Sequence, residues 1–244
     1  MESNHAIVVP AKTPESPSLG PVAIITATEP DLRYAVKQCG FSGTHAVSLY
    51  MSRVYPGGDD TAAFSIAGPV LGAPYAVMVL ETLIAWGVRK LIFIGWCGSI
   101  SGNAEIGDII LPDNAYIDEG TSAHYNRIPP GPVPPSPGLF GNLKAAFGRN
   151  QVPCHIGSVW TTDGVFRETP QKVRHYQDLD AMAVEMETSA LFTVAQFHRM
   201  DLAAVLVVSD DLSSMKWRPG FRDKRFTSGC KSAAEMVFQC CQKI

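Results

Sequence analysis

The run "LAAVLVVSDD", residues 202–211, constrains the fold more than any other stretch of this 244-residue chain. Seven apolar residues in a row, with no polar alternation, describe a strand covered on both faces. Shorter runs of the same kind recur: "VAIIT" (22–26), "KLIFIGW" (90–96), "GDIILP" (107–112), "HIGSVWTTD" (155–163) and "AMAVEME" (181–187). Helix-like segments alternate with them. "PYAVMVLETLIAWG" (74–87) opens on Pro and closes on Gly, which punctuates a helix at both ends. "LFGNLKAAFG" (139–148), "ETPQKVRHYQDL" (168–179), "TSALFTVAQFHR" (188–199) and "GCKSAAEMVFQCCQKI" (229–244) read as further helices. This order predicts an α/β fold built on a mainly parallel sheet with right-handed crossovers. "HAVSLYM" (45–51) and "TAAFSIA" (61–67) are expected to pair as a hairpin across the "GGDD" turn at 57–60. Residues 1–20, rich in Pro and Ser, are expected to be irregular, and 21–244 to form one domain. "IPPGPVPPSPG" (128–138) holds six prolines, so it is a stiff loop, either a lid or an interface spacer.

Composition removes several classes of partner. The chain is 46% apolar and 18% charged, with a formal net charge of −3 and no basic run. Neither nucleic acid nor an anionic membrane surface is expected to bind it. No apolar run reaches the ~18 residues of a membrane span, and the first residues lack the pattern of a signal peptide. Cys39, Cys97, Cys154, Cys230, Cys240 and Cys241 form no CxxC pair. Scattered thiols of this kind suit a reduced, cytoplasmic protein and give no zinc pattern. The six histidines show no metal-ligand spacing, so no metal is expected.

Polar strand ends mark the candidate site. Open α/β sheets bind ligands beyond the carboxyl ends of their strands, where "TTD", "EME" and "SDD" would sit. In "AVEMETSALF" (183–192), Glu185 and Glu187 interrupt an apolar stretch, and buried acids need partners. In "VVSDDLS", Asp210 and Asp211 could serve as a general acid or cap the next helix. Adjacent strand residues face opposite ways, so only one shares a face with Val208. "GWCGSISG" (95–102) is a Gly-rich strand end that could cradle an anion or simply turn; it matches neither the Walker nor the GxGxxG spacing. Trp160 and Phe166 could stack on a base or fill the core. No GxSxG motif is present, which removes acyl-enzyme hydrolases.

Taken in order, "GWCGSI", "IGDIILP", "WTTD", "AVEMETSA" and "VVSDDLS" resemble the nucleoside phosphorylase / methylthioadenosine nucleosidase superfamily, from about residue 20 to the end. "DEGTSAHY" (118–125) looks like the uridine phosphorylase segment where the sheet meets the ribose pocket. The resemblance implies a single-domain three-layer sandwich, with a mixed, partly barrel-like central sheet flanked by helices. It implies cleavage of an N-glycosidic bond with no cofactor, phosphate being the co-substrate in phosphorylases and water replacing it in nucleosidases. It assigns Glu187 to the ribose hydroxyls, with Met186 against the sugar and Glu185 as a second contact. An anion there stabilises an oxocarbenium-like ribose more than the ground state. His5 would reach a neighbour's 5′-hydroxyl. Asp210 would protonate or hydrogen-bond N7 of a departing purine, with Val165, Phe166 and Trp160 packing on the base.

The pattern is broken at the phosphate end. Phe93 and Trp96 in "FIGWCG" stand where the family usually carries Arg and Ser or Thr. Arg33 of "ATEPDLR", Arg53 (matching an Arg donated by a neighbouring subunit), Gly95 and Gly98 are the remaining phosphate candidates. Asp31 or Glu29 could instead activate water. Arg167 and Gln171 loosely match the pyrimidine-selecting pair. Phosphorolysis of a purine nucleoside is placed ahead of uridine phosphorolysis. Hydrolysis, and nucleoside binding without catalysis, remain open. The resemblance also suggests a homo-oligomer, a dimer or trimer of dimers, with sites shared between subunits.

Overall fold

The computed structural model describes residues 6–41, 46–57, 64–125 and 131–244. Among these, ten strands and seven α-helices form one α/β domain. The strands are β1 (Val22–Thr26), β2 (Val47–Leu49), β3 (Ser52–Tyr55), β4 (Ser65–Gly68), β5 (Lys90–Ser99), β6 (Ile109–Asp118), β7 (His155–Thr162), β8 (Ala181–Glu185), β9 (Asp201–Asp211) and β10 (Arg218–Pro219). The helices are α1 (Glu29–Gln38), α2 (Ala73–Ala85), α3 (Ser122–Tyr125), α4 (Pro137–Arg149), α5 (Pro170–Asp178), α6 (Thr188–His198) and α7 (Lys224–Cys241).

The sheet runs β10-β9-β6-β7-β8-β5-β1-β4-β3-β2, and a further pairing of β9 with β5 closes five strands into a barrel. The sheet is mixed, as the family resemblance implies, rather than mainly parallel. β5 pairs parallel with β1 and β9 but antiparallel with β8. Closure gives both flanks of β9 a partner. Residues Leu202–Val208 are accordingly buried throughout, as their unbroken apolar run requires. Helices α2, α3 and α6 pack together, and α1, α4 and α7 pack together, flanking the sheet.

Local sequence accounts for several helix starts. Thr28 caps α1, its hydroxyl accepting from the Asp31 N–H, and Pro30 lies in the first turn. Thr169 caps α5 through the Lys172 N–H. The hairpin differs from expectation. β2 turns at Tyr50-Met51 and pairs with β3, and β3 then pairs with β4. The apolar run at 45–51 thus contains the turn itself, with Tyr50 at φ 55. Most of the expected 57–60 turn lies outside the described residues. So does the start of the Pro-rich loop. Its described part straps across the domain. Val133 bridges Ala115 of β6, the Pro134 carbonyl accepts from Gln196, and the Ser136 hydroxyl accepts from the Leu202 N–H.

Candidate active site

The strand ends converge because two strands cross at their tips. Gly98 of β5 stands opposite Val184 of β8 in antiparallel register. A Cβ at Gly98 would lie 2.6 Å from the Leu212 side-chain tip and 3.2 Å from Asp210 Oδ2, so a larger residue there would displace Leu212 at the edge of the site. Beyond this crossing lies a cavity of about 530 Å³, within the range of small-molecule sites. Its polar wall holds Glu168, Glu185, Ser209 and Asp210; its apolar wall includes Trp96, Phe166, Trp217 and Phe221.

The two glutamates of "EME" have different duties. Glu185 is tied into the fold. Its Oε1 accepts a short hydrogen bond from the Thr161 hydroxyl, and its Oε2 accepts the N–H groups of Glu187 and Thr188 at 2.8 Å each. It therefore supplies the acceptor that the N-terminus of α6 lacks in its own backbone. Burial raises its pKa and these donors oppose the rise. Glu187, 4% exposed, has a looser hold. The Gly72 N–H donates to its Oε1 at 2.5 Å. No Arg or Lys pairs with it among the described residues. Burial, then the charge of Glu185, pushes its pKa up to about 8, against the Gly72 and Met186 N–H groups. Glu185 and Met186 line the cavity; Leu71, next to Gly72, lines it from the other side. Glu187 itself lies behind this lining.

Asp210 and Asp211 part company, as strand alternation demands. Asp210 faces the cavity. Its Oδ1 accepts from the Ser209 hydroxyl at 2.6 Å and its Oδ2 from the Trp217 indole at 2.8 Å. Asp211 turns away to Arg218 at 2.9 Å and the Ser213 N–H at 2.8 Å. Partial burial opposes its charge, but Ser213 and Arg218 outweigh it and hold the carboxyl below its ordinary range.

The family model of the phosphorylase superfamily matches residues 21–242, nearly the whole chain. The chain belongs to the phosphorylase superfamily. A guanosine phosphorylase from Halorubrum lacusprofundi is 28% identical over 180 residues, covering 74% of each chain. A DeoD-type purine nucleoside phosphorylase from Caldanaerobacter subterraneus subsp. tengcongensis is 31% identical over 153 residues, 61% of this chain and 64% of the relative. In shape the chain is similar to purine nucleoside phosphorylase from Toxoplasma gondii in complex with immucillin-H. The TM-score is 0.80 at 18% identity, over 93% of this chain and 92% of that one.

Within this superfamily member, the other candidates fall in several places. Val165 and Phe166, on a 3₁₀ turn after β7, line the cavity mouth, Phe166 being 95% exposed. Trp160 does not join them. It is fully buried, stacks on Tyr176 with ring centroids 4.4 Å apart, and gives its N–H to Asp118 at 3.0 Å. A base-facing wall at this position is therefore corrected to a core aromatic. The "TTD" end is likewise divided: Thr161 serves Glu185, while Asp163 accepts the Gly120 N–H and faces a second cavity beside α2 and α3. The acids of "DEGTSAHY" are also committed. Asp118 accepts from Trp160, Thr162 and Lys172, and Glu119 from Thr121, Ser122 and Ser189.

At the phosphate end, Arg33 and Arg53 do not line the cavity. Both approach Glu29, at 3.7 and 3.8 Å, with largely exposed side chains, a geometry that contributes little stability. A Cβ at Gly95 would strike the Phe93 ring at 2.8 Å, so that glycine accommodates packing. Gly98 does border the cavity. Trp96 also lines it, its indole edge-on to Phe226. Asp31 is held up to about 6 by burial, against the Thr28 hydroxyl, which donates to it at 2.8 Å. The Trp96 N–H also favours its anion, although no acceptor lies within bonding range of that N–H. His5 lies outside the described residues. Among the described residues, no three His, Cys, Asp or Glu side chains gather as metal ligands, and no helix is long and apolar enough to cross a membrane.

Glu168, Trp217 and Phe221 line the cavity without having stood out in the sequence. Glu168 reads there as the polar start of a helix. Trp217 and Phe221 follow an irregular stretch with no periodicity to place them.

Proposed function

We propose that this protein cleaves the N-glycosidic bond of a purine nucleoside by phosphorolysis, giving free base and ribose 1-phosphate. One observation carries the reading. Glu185 and Met186 of "EME" and Asp210 of "SD", in a phosphorylase-superfamily chain, line one cavity of about 530 Å³ beside Phe166, Trp217 and Phe221, with Glu187 next to Met186 behind the lining. The names of the relatives support nucleoside phosphorolysis and favour purines.

In this reading the base lies between Phe166 and the aromatics Trp217 and Phe221, with the sugar over Met186. Glu187 accepts from the ribose hydroxyls. A carboxylate anion at this place faces the developing oxocarbenium ion. Asp210, oriented by Ser209 and Trp217, stands at the base nitrogen that gains electron density. As phosphate oxygen bonds to C1′, the C1′–N9 pair passes to the base, and hydrogen bonding at that nitrogen stabilises the leaving group. The chain's own residues and inorganic phosphate suffice; no cofactor is needed. Of the phosphate candidates only Gly98, at the end of β5, borders the cavity; Arg33 and Arg53 lie outside its lining, beside Glu29.

Trp96 at the cavity and the half-buried Asp31 support a second reading, in which water is the nucleophile. A panel of purine and pyrimidine nucleosides, assayed for base release with and without phosphate, separates the two. Release that requires phosphate supports phosphorolysis; equal release in phosphate-free buffer supports hydrolysis.

Assembly and compartment belong to the same proposal. Tyr50, Met51, Leu71 and Met78 are exposed apolar side chains in and beside the β2–β3 turn and α2. Their grouping, with Tyr50 and Met51 hydrogen-bonded to Thr82 and Tyr75 of α2, supports a face covered by a second copy. Six free cysteines suit a cytoplasmic setting.

A further inference from the structure

Glu119 is a buried acid with no part in the chemistry above. It directly follows β6 and is 9% exposed. No Lys or Arg pairs with it among the described residues. Its partners are neutral donors. Oε2 accepts the Thr121 N–H and, at 3.1 Å, the Ser122 N–H; Oε1 accepts the Ser189 hydroxyl at 3.0 Å. The two amides account for the local turn into α3. The Ser189 bond does not, because it spans 70 residues and reaches the first turn of α6. An unpaired carboxylate is costly to keep in a low-dielectric interior, and starting a four-residue helix does not call for one.

Ser189 lies where three strand tips meet α6. β6, β7 and β8 run side by side in parallel, and beyond or at their ends stand Glu119, Thr161 and Glu185. The Ser189 N–H donates to the Thr161 hydroxyl oxygen at 2.9 Å, Thr161 donates to Glu185 Oε1, and Glu185 Oε2 accepts the Glu187 N–H at 2.8 Å. One turn further along α6, Thr193 accepts from the Ser122 hydroxyl at 3.1 Å. The segment 119–122 therefore grips α6 at two points on one face, Ser189 and Thr193. Thr161 and Ser189 are fully buried, so a bond lost there leaves a polar group unpaired rather than hydrated. Glu187 stands directly before this helix, two residues from Ser189.

We propose that Glu119 is a positioning residue for Glu187. Through Ser189 it holds the first turn of α6 in place, and so fixes where the Glu187 carboxylate points, without touching substrate itself. This rests on the reading that Glu187 meets the ribose.

Two variants cut the link from either side. Ser189→Ala removes the bond to Glu119 but leaves the α3 amides on Glu119 and the Ser189 N–H on Thr161. Glu119→Gln keeps the size but offers one acceptor oxygen in place of two. Single-turnover phosphorolysis of guanosine by each folded variant should slow about 10- to 100-fold, the scale of a small misplacement at the reacting centre. Calorimetric affinity for free guanine, which has no ribose, should stay unchanged. The deciding readout is coupling: in a Glu187→Gln background, Glu119→Gln should cost almost nothing further, because the group it positions is gone. If Glu119→Gln does not fold, Ser189→Ala takes its place in the cycle. Native rates in the folded variants, whatever their thermal stability, would overturn the role. So would a loss that persists in full in the Glu187→Gln background, or one matched by an equal loss of guanine affinity. If Glu187→Gln is slow and the coupling is absent, only the positioning role fails; if Glu187→Gln turns over at the native rate, the ribose reading and the positioning role fail together. If the native protein releases no base, the enzymatic reading fails, and the same cycle is read from guanosine affinity; absence of guanosine binding overturns both.

Discussion

The backbone N–H of Gly72 reaches Oε1 of Glu187 at 2.5 Å, tying the start of α2 to the start of α6 across 115 residues of chain. Gly72 has φ +81 and ψ 149, a conformation close to glycine-only backbone. A glycine before a helix thereby aims a donor at the carboxylate assigned to the sugar.

Gly72→Ala tests that tie. A Cβ there would meet nothing within 4 Å, so any cost is backbone strain rather than collision. We expect a loss of about 1–3 kcal/mol in urea unfolding, with kcat lowered as the amide turns away from Glu187. Unchanged stability and rate would show that the backbone geometry at Gly72 has no bearing on the site.

The acids around the cavity also set a pH dependence. Asp31, Glu168, Glu185 and Glu187 all have raised pKa values, burial being the first cause in each. Between their ordinary range and about pH 8, the folded protein therefore binds more protons than the unfolded chain. The contribution of these groups is full below about pH 4 and is lost as pH rises toward 8. Glu187→Gln removes one of them. Between pH 5.5 and 8.5 the native protein should lose roughly 1–3 kcal/mol more stability than this variant, since a tenfold difference in proton affinity between folded and unfolded states corresponds to about 1.4 kcal/mol. Parallel pH profiles for the two proteins would contradict the assignment.

Asp210→Asn should reduce kcat/KM for purine nucleosides by about 10²-fold, the usual scale of a lost acid or hydrogen bond at a leaving group. Pyrimidine nucleosides, which lack N7, should lose far less. Trp217→Phe, which removes the indole donor to Asp210, should produce a milder loss of the same substrate pattern. An equal loss on purines and pyrimidines in Asp210→Asn would argue against a role at N7.

Met51 is 80% exposed on the apolar face beside α2. Light scattering should find the native protein as a dimer or larger, and Met51→Asp should shift it toward monomer by burying a charge in that face. A monomeric native protein would remove the proposed assembly.

Much of the site is legible in the sequence because its signals are local. "LAAVLVVSDD" specifies a strand buried on both sides and a polar tip, and alternation alone separates Asp210 from Asp211. "AVEMETSALF" places two acids in apolar surroundings, which calls for partners. What the sequence hides is decided by tertiary neighbours. Trp160 has the same chemistry whether it faces a base or Tyr176; only the stack and the Asp118 acceptor settle it. Glu185 and Glu187 look equivalent until Thr161 and the α6 amides claim the first. The hairpin goes astray because the turn at Tyr50-Met51 uses bulky residues where Gly or Asn would have marked it. Glu168 is hidden because a charged residue before a helix cap is ordinarily solvated.

The role of Glu187 is tested most directly by single-turnover phosphorolysis of guanosine by Glu187→Gln, with circular dichroism and thermal unfolding as controls for the fold. Loss of a preorganised charged contact to the transition state should slow the chemical step by about 10²- to 10³-fold while the fold persists. A folded Glu187→Gln protein that turns over at close to the native rate would contradict the account.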